Sequence, residues 1–255
     1  MIEIKNLSKR YASLLAVDRL DLFVPKGTIF GFIGPNGAGK TTTIKMLAGL
    51  IEPDAGEIRI NGIDIREEPE KAKQQIGFIP DRPYLYEKLT GLEFLKFTAD
   101  LYKMEGSGFR RKANRLLDQF SLPDWKHELI ESYSHGMKQR LIMAAAILHN
   151  PAIIIVDEPM VGLDPAGIQM VKQLFRNLAD TGVTFFISTH TLSMAQDLCD
   201  KIGIIQKGRL IATGTVDDLK IQAHASTGDL ESVFLKLTRE ESLLHQSPDM
   251  LKAGP

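Results

Sequence analysis

The sequence predicts an α/β fold with a mainly parallel sheet. Short apolar segments of strand length alternate with longer segments whose apolar residues recur at helical spacing, which is the pattern of such a domain. A stretch near the middle breaks this alternation because it has helical spacing alone, and the strand-length segments resume after it. With 255 residues, the chain is long enough for one large domain or two small ones with a substantial core.

The predicted strands fall into two groups that a helical stretch separates. The first group comprises Ile2–Leu7, Leu20–Val24, Thr28–Ile33, Glu57–Ile60 and Ile76–Ile79. The second group comprises Ala152–Val156, Val183–Ser188, Lys201–Gln206 and Arg209–Ala212. Between them, from Leu89 to Leu148, helical spacing without a convincing strand predicts a helical insert. Further helices are predicted from the end of the third strand to about Leu50, over Ile168–Asp180 and over Leu230–Leu237.

Composition and charge exclude several classes of function. The net charge of −1 argues against a protein that binds nucleic acid or an anionic membrane surface mainly by electrostatics. Cys199 is the single cysteine of the sequence, which excludes an internal disulfide and a cysteine-based zinc site. The N-terminus has no signal-peptide pattern, and the longest apolar runs, Leu141–Leu148 and Ala152–Val156, fall far short of the ~20 residues that span a bilayer. We therefore expect a cytoplasmic protein that needs another chain if it works at a membrane.

A glycine-rich segment follows the strand Thr28–Ile33 and opens a predicted helix. It matches the P-loop pattern of Gly, four residues, then Gly-Lys-Thr, in which backbone N–H groups and the helix N-terminus face phosphate oxygens. The predicted nucleotide-binding residues are Gly34, Pro35, Asn36, Gly37, Ala38, Gly39, Lys40, Thr41 and Thr42. We expect Lys40 to reach the β- and γ-phosphates of ATP and the Thr41 hydroxyl to bind Mg²⁺. A turn that only caps a helix is the alternative.

Two acidic residues follow the apolar strand Ala152–Val156. Asp157 and Glu158 would lie near the P-loop, because ligands of an open α/β sheet bind at the carboxyl ends of its strands. Two adjacent carboxylates repel each other there unless a cation is near. We predict that Asp157 holds Mg²⁺ through water and that Glu158 orients and deprotonates the attacking water. A solvated loop after a core strand is the alternative interpretation.

Further motifs resemble those of one known family. The segment from Tyr133 to Arg140 resembles the signature motif of ABC ATP-binding subunits, and Gly162-Leu163-Asp164 resembles their D-loop. His190 resembles the switch histidine, and Tyr11 resembles the aromatic residue that stacks on adenine. Taken singly, these segments also fit an ordinary helix N-terminus, a buried histidine and a strand-edge aromatic. Because all of them occur in the family's order over about residues 1–220, the chain resembles an ABC transporter ATP-binding subunit.

The resemblance implies a fold and a domain organisation. The core would be that of a P-loop NTPase of the RecA type, with an N-terminal antiparallel β subdomain and an inserted helical subdomain. The nucleotide-binding domain would span residues 1–220, with its core in 1–83 and 150–220 and the helical insert in 84–149. Residues 221–255 would form a C-terminal helix and a polar tail.

The resemblance also implies roles for single residues in a head-to-tail dimer that encloses two ATP molecules. Lys40, Glu158 and His190 would be catalytic, and Tyr11 would stack on the adenine base. Ser134 and Gly136 of one subunit would contact the ATP bound by the other subunit. Physical reasoning supports this arrangement, because Ser is a favourable N-cap and the helix after it would present free N–H groups to a phosphate.

Two positions depart from the family's pattern. Gln is usual after a strand of the Ile76–Ile79 type, but this chain has Asp81 there. The Asp81 carboxylate keeps an oxygen that could approach Mg²⁺ or its water, so we include Asp81 with Thr41 and Asp157 among the predicted metal-binding residues. Gly is usual at the third position of the signature, but this chain has His135.

The resemblance predicts ATP hydrolysis coupled to transmembrane transport, with ATP and Mg²⁺ as cofactors. The expected partners are a second ATP-binding subunit, identical or not, and a separate transmembrane permease, without nucleic acid. The subunit would lie on the inner face of the cell membrane, held there by the permease. Export is the expected direction, because Gly228 to Thr238 resembles the C-terminal helix of drug-, antibiotic- and lipid-export subunits. Tyr84, Leu85 and Tyr86 belong either to a groove that receives the permease or to the core of the insert.

Two other functions are alternatives. A non-transport ABC ATPase that acts on nucleic acid or ribosomes usually carries two cassettes, a long coiled-coil insertion or zinc cysteines. This chain has one P-loop, no heptad run and one cysteine. A P-loop kinase of nucleotides or small molecules is the more distant alternative, and the signature, D-loop and switch-histidine motifs argue against it.

Overall fold

The computed structural model of the protein describes residues 1–104, 106–225 and 229–244. The strands are β1 (Ile2–Tyr11), β2 (Leu14–Val24), β3 (Ile29–Ile33), β4 (Ala55–Ile60), β5 (Ile63–Asp64), β6 (Ile76–Ile79), β7 (Ile153–Asp157), β8 (Thr184–Thr189), β9 (Lys201–Gln206) and β10 (Arg209–Gly214). The α-helices are α1 (Lys40–Leu47), α2 (Pro69–Gln74), α3 (Gly91–Leu101), α4 (Gly106–Gln119), α5 (His135–Ile147), α6 (Pro165–Asp180), α7 (Leu192–Leu198), α8 (Val216–Gln222) and α9 (Leu230–Leu244). Gly228 and the predicted polar tail after residue 244 lie outside the described residues.

The N-terminal strands form an antiparallel sheet in the order β2-β1-β4-β5. This confirms the predicted antiparallel β subdomain. β1 and β2 are longer than the sequence predicted, since they meet in a tight turn at which Tyr11 pairs with Leu14. Ala12 adopts a left-handed backbone conformation in this turn, with a φ of 49°. The turn could not be predicted from the sequence, because it contains neither Gly nor Asn, the residues that usually take this conformation.

The larger sheet has the strand order β10-β9-β3-β8-β7-β6. Its strands are parallel except for β10, which is antiparallel to β9 at one edge. This confirms the mainly parallel α/β fold. The central strands β3, β8 and β7 are buried along their whole length, so their ends are held rigidly. The carboxyl ends of β3, β8, β7 and β6 lie next to one another, at the edge where α/β proteins bind ligands.

The chain between β6 and β7 forms helices without a strand element in its described residues, as predicted for the insert. α3 begins with a capping box, in which the side chains of Thr90 and Glu93 each accept a hydrogen bond from the other's backbone N–H. α3, α4 and α5 pack around a common apolar cluster that has Phe120 fully buried. Phe97 and Leu101 fit the predicted helical pattern but are exposed, because α3 buries only one face.

Several helix ends differ from the sequence-based prediction for local reasons. α1 ends earlier than predicted, because Gly49 takes a positive φ of 65° just after it. α6 starts before Ile168, because Asp164 caps its N-terminus and Pro165 occupies the first helical position. α9 continues past Leu237. Among the described helices, none is both long and apolar enough to cross a bilayer.

Candidate functional site

The residues predicted to bind nucleotide and metal, except Ser134 and Gly136, come together near the carboxyl ends of four adjacent strands. The P-loop follows β3, Asp81 follows β6, Asp157 ends β7 and His190 follows β8. All of them except Gly34 and Pro35 line one cavity of about 410 Å³. The lining residues are Tyr11, Leu14, Ala16, Asn36, Gly37, Ala38, Gly39, Lys40, Thr41, Thr42, Asp81, Asp157, Glu158 and His190. We call this space the P-loop cavity.

The P-loop backbone requires glycine at its two ends. A Cβ on Gly34 would overlap the carbonyl oxygen of Ile205, on the neighbouring strand β9. Gly39 has a φ of 109°, and a Cβ there would overlap the carbonyl oxygen of Ala16. The outer side of the loop therefore packs closely against β2 and β9, and its inner side faces the cavity.

Lys40 lies at the base of the cavity and is 9% exposed. Its Nζ atom donates hydrogen bonds to the carbonyl oxygens of Gly34, at 2.6 Å, and Pro35, at 3.1 Å. Burial lowers the pKa of Lys40, and the carboxylates of Glu158 and Asp157 act in the opposite direction. A buried cation held by two carbonyl oxygens is favourable for a bound phosphate, whose negative charge replaces the lost hydration.

Glu158 is held in one orientation by the last residue of β8 and the residue after it. Its Oε1 atom accepts a hydrogen bond from the His190 N–H at 2.9 Å and lies 2.6 Å from the His190 Nδ1 atom. Its Oε2 atom accepts a hydrogen bond from the Thr189 hydroxyl at 3.1 Å. Glu158 also has a φ of 51°, a strained conformation for a residue with a side chain. The strain and the contacts together aim the carboxylate across the end of the sheet into the P-loop cavity.

Asp157 and Asp81 bring further negative charge to the cavity. Burial raises the pKa of Asp157, and the nearby carboxylates of Asp81 and Glu158 act in the same direction. In the described part of the chain, no set of three or more His, Cys, Asp or Glu side chains is spaced to hold a metal ion alone. Mg²⁺ in nucleotide sites does not need such a set, because it is usually bound by one or two side chains together with phosphates and waters.

Tyr11 stands at the rim of the P-loop cavity, at the end of β1. It is 44% exposed, so its ring is not a buried part of the sheet. The Lys9 ammonium lies 5.9 Å from the ring centroid. An exposed ring at the rim is accessible to a flat group such as a nucleotide base.

Ser134 and Gly136 lie away from the P-loop cavity. They line a second cavity, of about 540 Å³, which we call the signature cavity and which shares no described lining residue with the first. Ser134 caps α5, because its side chain accepts a hydrogen bond from the Met137 N–H at 3.3 Å. The predicted N-cap is therefore confirmed, and the start of α5 opens into the signature cavity.

The comparison with known proteins decides the family. The family model described as ABC transporter matches residues 17–161. The chain belongs to the ABC transporter family. It is 38% identical over 219 residues to the linearmycin resistance ATP-binding protein LnrL of Bacillus subtilis (strain 168), a match that covers 86% of this chain and 70% of LnrL.

Two solved structures share the fold of this ABC subunit. The structure of an ATP binding subunit of an ABC transporter superposes with a TM-score of 0.89 at 35% identity, covering 93% of this chain and 99% of that one. The dimeric ATP-binding cassette MJ0796, in a post-hydrolysis state bound to ADP and Pi, superposes with a TM-score of 0.77 at 26% identity, covering 84% of this chain and 98% of that one. This ABC subunit is an ATP-binding and ATP-hydrolysing protein.

His135, in the segment that resembles the ABC signature, lies against Gly162, in the segment that resembles the D-loop. Gly162 has a φ of 80°, and a Cβ there would overlap the imidazole ring of His135. The ring fills the space that a side chain at position 162 would need. The unusual residue of the signature is therefore accommodated by the glycine of the D-loop.

Sequence reasoning missed some residues of the ABC nucleotide site. Thr189 orients Glu158, and Leu14 and Ala16 line the P-loop cavity. A signal existed for Thr189, which stands next to His190 at the end of a predicted strand. Leu14 and Ala16 could not be predicted, because the sequence does not indicate the turn after Tyr11 and therefore does not indicate that β2 begins at Leu14.

Proposed function

We propose that this chain is the Mg²⁺-dependent ATP-hydrolysing motor of a two-subunit sandwich that drives a separate membrane permease, in the direction of export. The observation that carries the sandwich is the separation of the P-loop cavity from the signature cavity within one chain. Of the twelve predicted nucleotide-binding residues, eight line the P-loop cavity, and two, Ser134 and Gly136, line the signature cavity. A head-to-tail pair of subunits would place the P-loop cavity of one against the signature cavity of the other.

The residues of the chain divide the work of the reaction. Lys40 and the N-terminus of α1 bind the phosphates, and Thr41, Asp157 and Asp81 would hold Mg²⁺, which would neutralise phosphate charge. Glu158 takes the proton of the attacking water as general base. His190 holds the Glu158 carboxylate in place through its backbone N–H and its ring nitrogen. Ser134 and Gly136 present the start of α5 to the nucleotide in the other subunit.

A surface next to the P-loop cavity is suited to the permease. Tyr84 is 76% exposed and Tyr86 is 60% exposed, so the interpretation of both as core of the insert is wrong, whereas Leu85 packs partly against the core. Tyr84 and Phe78 line a groove of about 570 Å³. Asp81 lines both this groove and the P-loop cavity, so a partner in the groove would contact a residue of the nucleotide site.

The direction of export and the location are supported by a relative and by the C-terminal helix. LnrL, which is 38% identical to this chain, is named for resistance to linearmycin. α9 packs on the core through Leu230 and Val233, which agrees with the resemblance of this segment to the C-terminal helix of export subunits. We place the subunit in the cytoplasm, peripheral to the membrane through its permease.

Assembly provides the direct test of the sandwich. Glu158→Gln should form a dimer with ATP in size-exclusion chromatography with light scattering and a monomer without nucleotide, because bound ATP joins the two surfaces and is not consumed. The matched control is Lys40→Ala combined with Glu158→Gln, which should remain monomeric with ATP. A monomer under all conditions, even at high protein concentration, contradicts the sandwich for the isolated subunit.

Asp81 provides the test of coupling to the permease. Its carboxylate repels the γ-phosphate and adds to the charge at Asp157, so Asp81→Asn should raise the basal ATPase rate and reduce the stimulation by the permease. Relief of about 1 kcal/mol of repulsion corresponds to roughly a five-fold change in rate. Asp81→Glu keeps the charge and is the matched control. Unchanged basal and stimulated rates in Asp81→Asn would leave Asp81 as a turn residue without a role in coupling.

A further inference from the structure

A third cavity lies on the side of the molecule, between the helical insert and the core. It has a volume of about 360 Å³ and is formed by α4, the end of α5 with the chain just after it, and α6. None of its described lining residues belongs to the P-loop cavity or to the signature cavity. The function proposed for the nucleotide site therefore does not explain this cavity. We call it the α4–α6 cavity.

One wall of the α4–α6 cavity is basic. Arg111, Lys112 and Arg115 are within one turn of each other on α4, and all three line the cavity. In the described part of the chain, no carboxylate forms an ion pair with any of them. The Lys112 ammonium donates its hydrogen bond to the neutral side-chain oxygen of Asn150. Three neighbouring cations without a carboxylate partner repel each other, and a bound anion would relieve that repulsion.

The lowered pKa of Lys112 is consistent with a site that has excess positive charge. Burial lowers its pKa to about 8, and the neighbouring Arg115 guanidinium acts in the same direction. Both causes disfavour the charged form of the amine. An anion bound beside Lys112 would stabilise the charged form of the amine and so act against both causes.

The opposite wall of the α4–α6 cavity is apolar. Leu174 and Leu178, from α6, are partly buried and form this wall. Two further apolar residues of the lining, Leu116 of α4 and Ile147 of α5, are buried. A simple inorganic anion would leave this wall uncovered, whereas an apolar chain attached to the anion would cover it.

We propose that the α4–α6 cavity binds a small amphiphilic anion, with a carboxylate or phosphate head against Arg111, Lys112 and Arg115 and a short apolar chain against Leu174 and Leu178. The volume favours a small molecule over a peptide segment, because it lies at the lower end of the range of ligand cavities in proteins. The head contacts the insert and the chain contacts α6, so the ligand joins two parts of the subunit.

The test is isothermal titration of the whole chain with decyl phosphate and with decanoate, each below its micelle concentration. Saturating ADP fills the P-loop cavity during the titration, so that the phosphate head cannot bind there. The combined variant Arg111→Gln and Arg115→Gln should weaken binding of both probes at least about 30-fold, since it removes two charged hydrogen-bond donors. Arg110→Gln is the matched control, because Arg110 is an exposed cation of the same helix outside the cavity. The affinity of this variant for both probes should stay within about two-fold of the wild type.

Inorganic phosphate and decanol separate the contributions of the two walls. Each should bind at least about ten-fold more weakly than decyl phosphate, because each contacts one wall only. The ATPase rate and melting temperature of the combined variant should match those of the wild type, which shows that the variant is folded. The proposal is overturned if the combined variant binds both amphiphiles as the wild type does, or if inorganic phosphate or decanol binds as tightly as decyl phosphate.

Discussion

Lys40→Ala is expected to weaken ATP binding by at least about 100-fold. In the structure Lys40 is buried at the base of the P-loop cavity, and its ammonium is the positive charge that carbonyl oxygens hold in place there. Each hydrogen bond from a charged donor contributes about 1.5–3 kcal/mol, so losing two phosphate contacts corresponds to about 10²–10⁴ in affinity. Alanine also removes the two bonds that hold Lys40 to Gly34 and Pro35, so the loop loses part of its preorganised shape.

Titration of Mg²⁺–ATP by calorimetry measures this effect. Lys45→Ala is the matched control, because Lys45 lies on the same helix and its side chain is outside the P-loop cavity. Its affinity for ATP should remain within about two-fold of the wild type. A Lys40→Ala protein that is folded and binds ATP within a few-fold of the wild type would remove Lys40 from the phosphate site.

Glu158→Gln is expected to lower ATP hydrolysis by about 10²–10⁴-fold, the usual contribution of a general base, while ATP binding remains. Glutamine has the same shape and keeps one oxygen, which can accept from the His190 N–H, while its amide group takes the position next to the Thr189 hydroxyl, which can also accept. It tolerates the positive φ at this position no worse than glutamate does, so the fold should be unaffected. What glutamine lacks is a basic oxygen that takes a proton from water.

Phosphate release and ATP affinity have to be measured on the same preparation of Glu158→Gln. Glu52→Gln is the control, because Glu52 is an exposed carboxylate outside the P-loop cavity, and its hydrolysis rate should equal that of the wild type. Hydrolysis by Glu158→Gln at the wild-type rate would show that another group is the base. Loss of ATP binding together with hydrolysis would show instead that Glu158 supports the cavity.

The sequence by itself predicted the chemistry of the candidate nucleotide site. The P-loop, the pair Asp157 and Glu158, and the serine cap of α5 are each contained in a few consecutive residues, and their geometry follows from local hydrogen bonding and backbone conformation. The sequence also determined that these motifs follow strands, because a short apolar run that ends in polar residues is a local pattern. The α/β class and the helical insert were predictable for the same reason.

The tertiary structure alone decided which strand ends are neighbours. β8 lies between β3 and β7, although β6 and β7 come before it in the chain. This order brings His190 and Thr189 to Glu158 and places Asp81 near Asp157, contacts between residues that are far apart in sequence. Strand pairing depends on which side chains pack together over the whole sheet, and no local pattern encodes that.

Burial was likewise decided by the tertiary structure. Phe97, Leu101, Tyr84 and Tyr86 are apolar or aromatic, yet they are exposed, because the faces that the insert buries are chosen by packing against other helices. The same packing separated the P-loop cavity from the signature cavity and formed the α4–α6 cavity from helices distant in sequence. The chemical motifs consist of consecutive residues and can be identified from the sequence. The cavities that contain them form only when distant segments of the chain pack against each other.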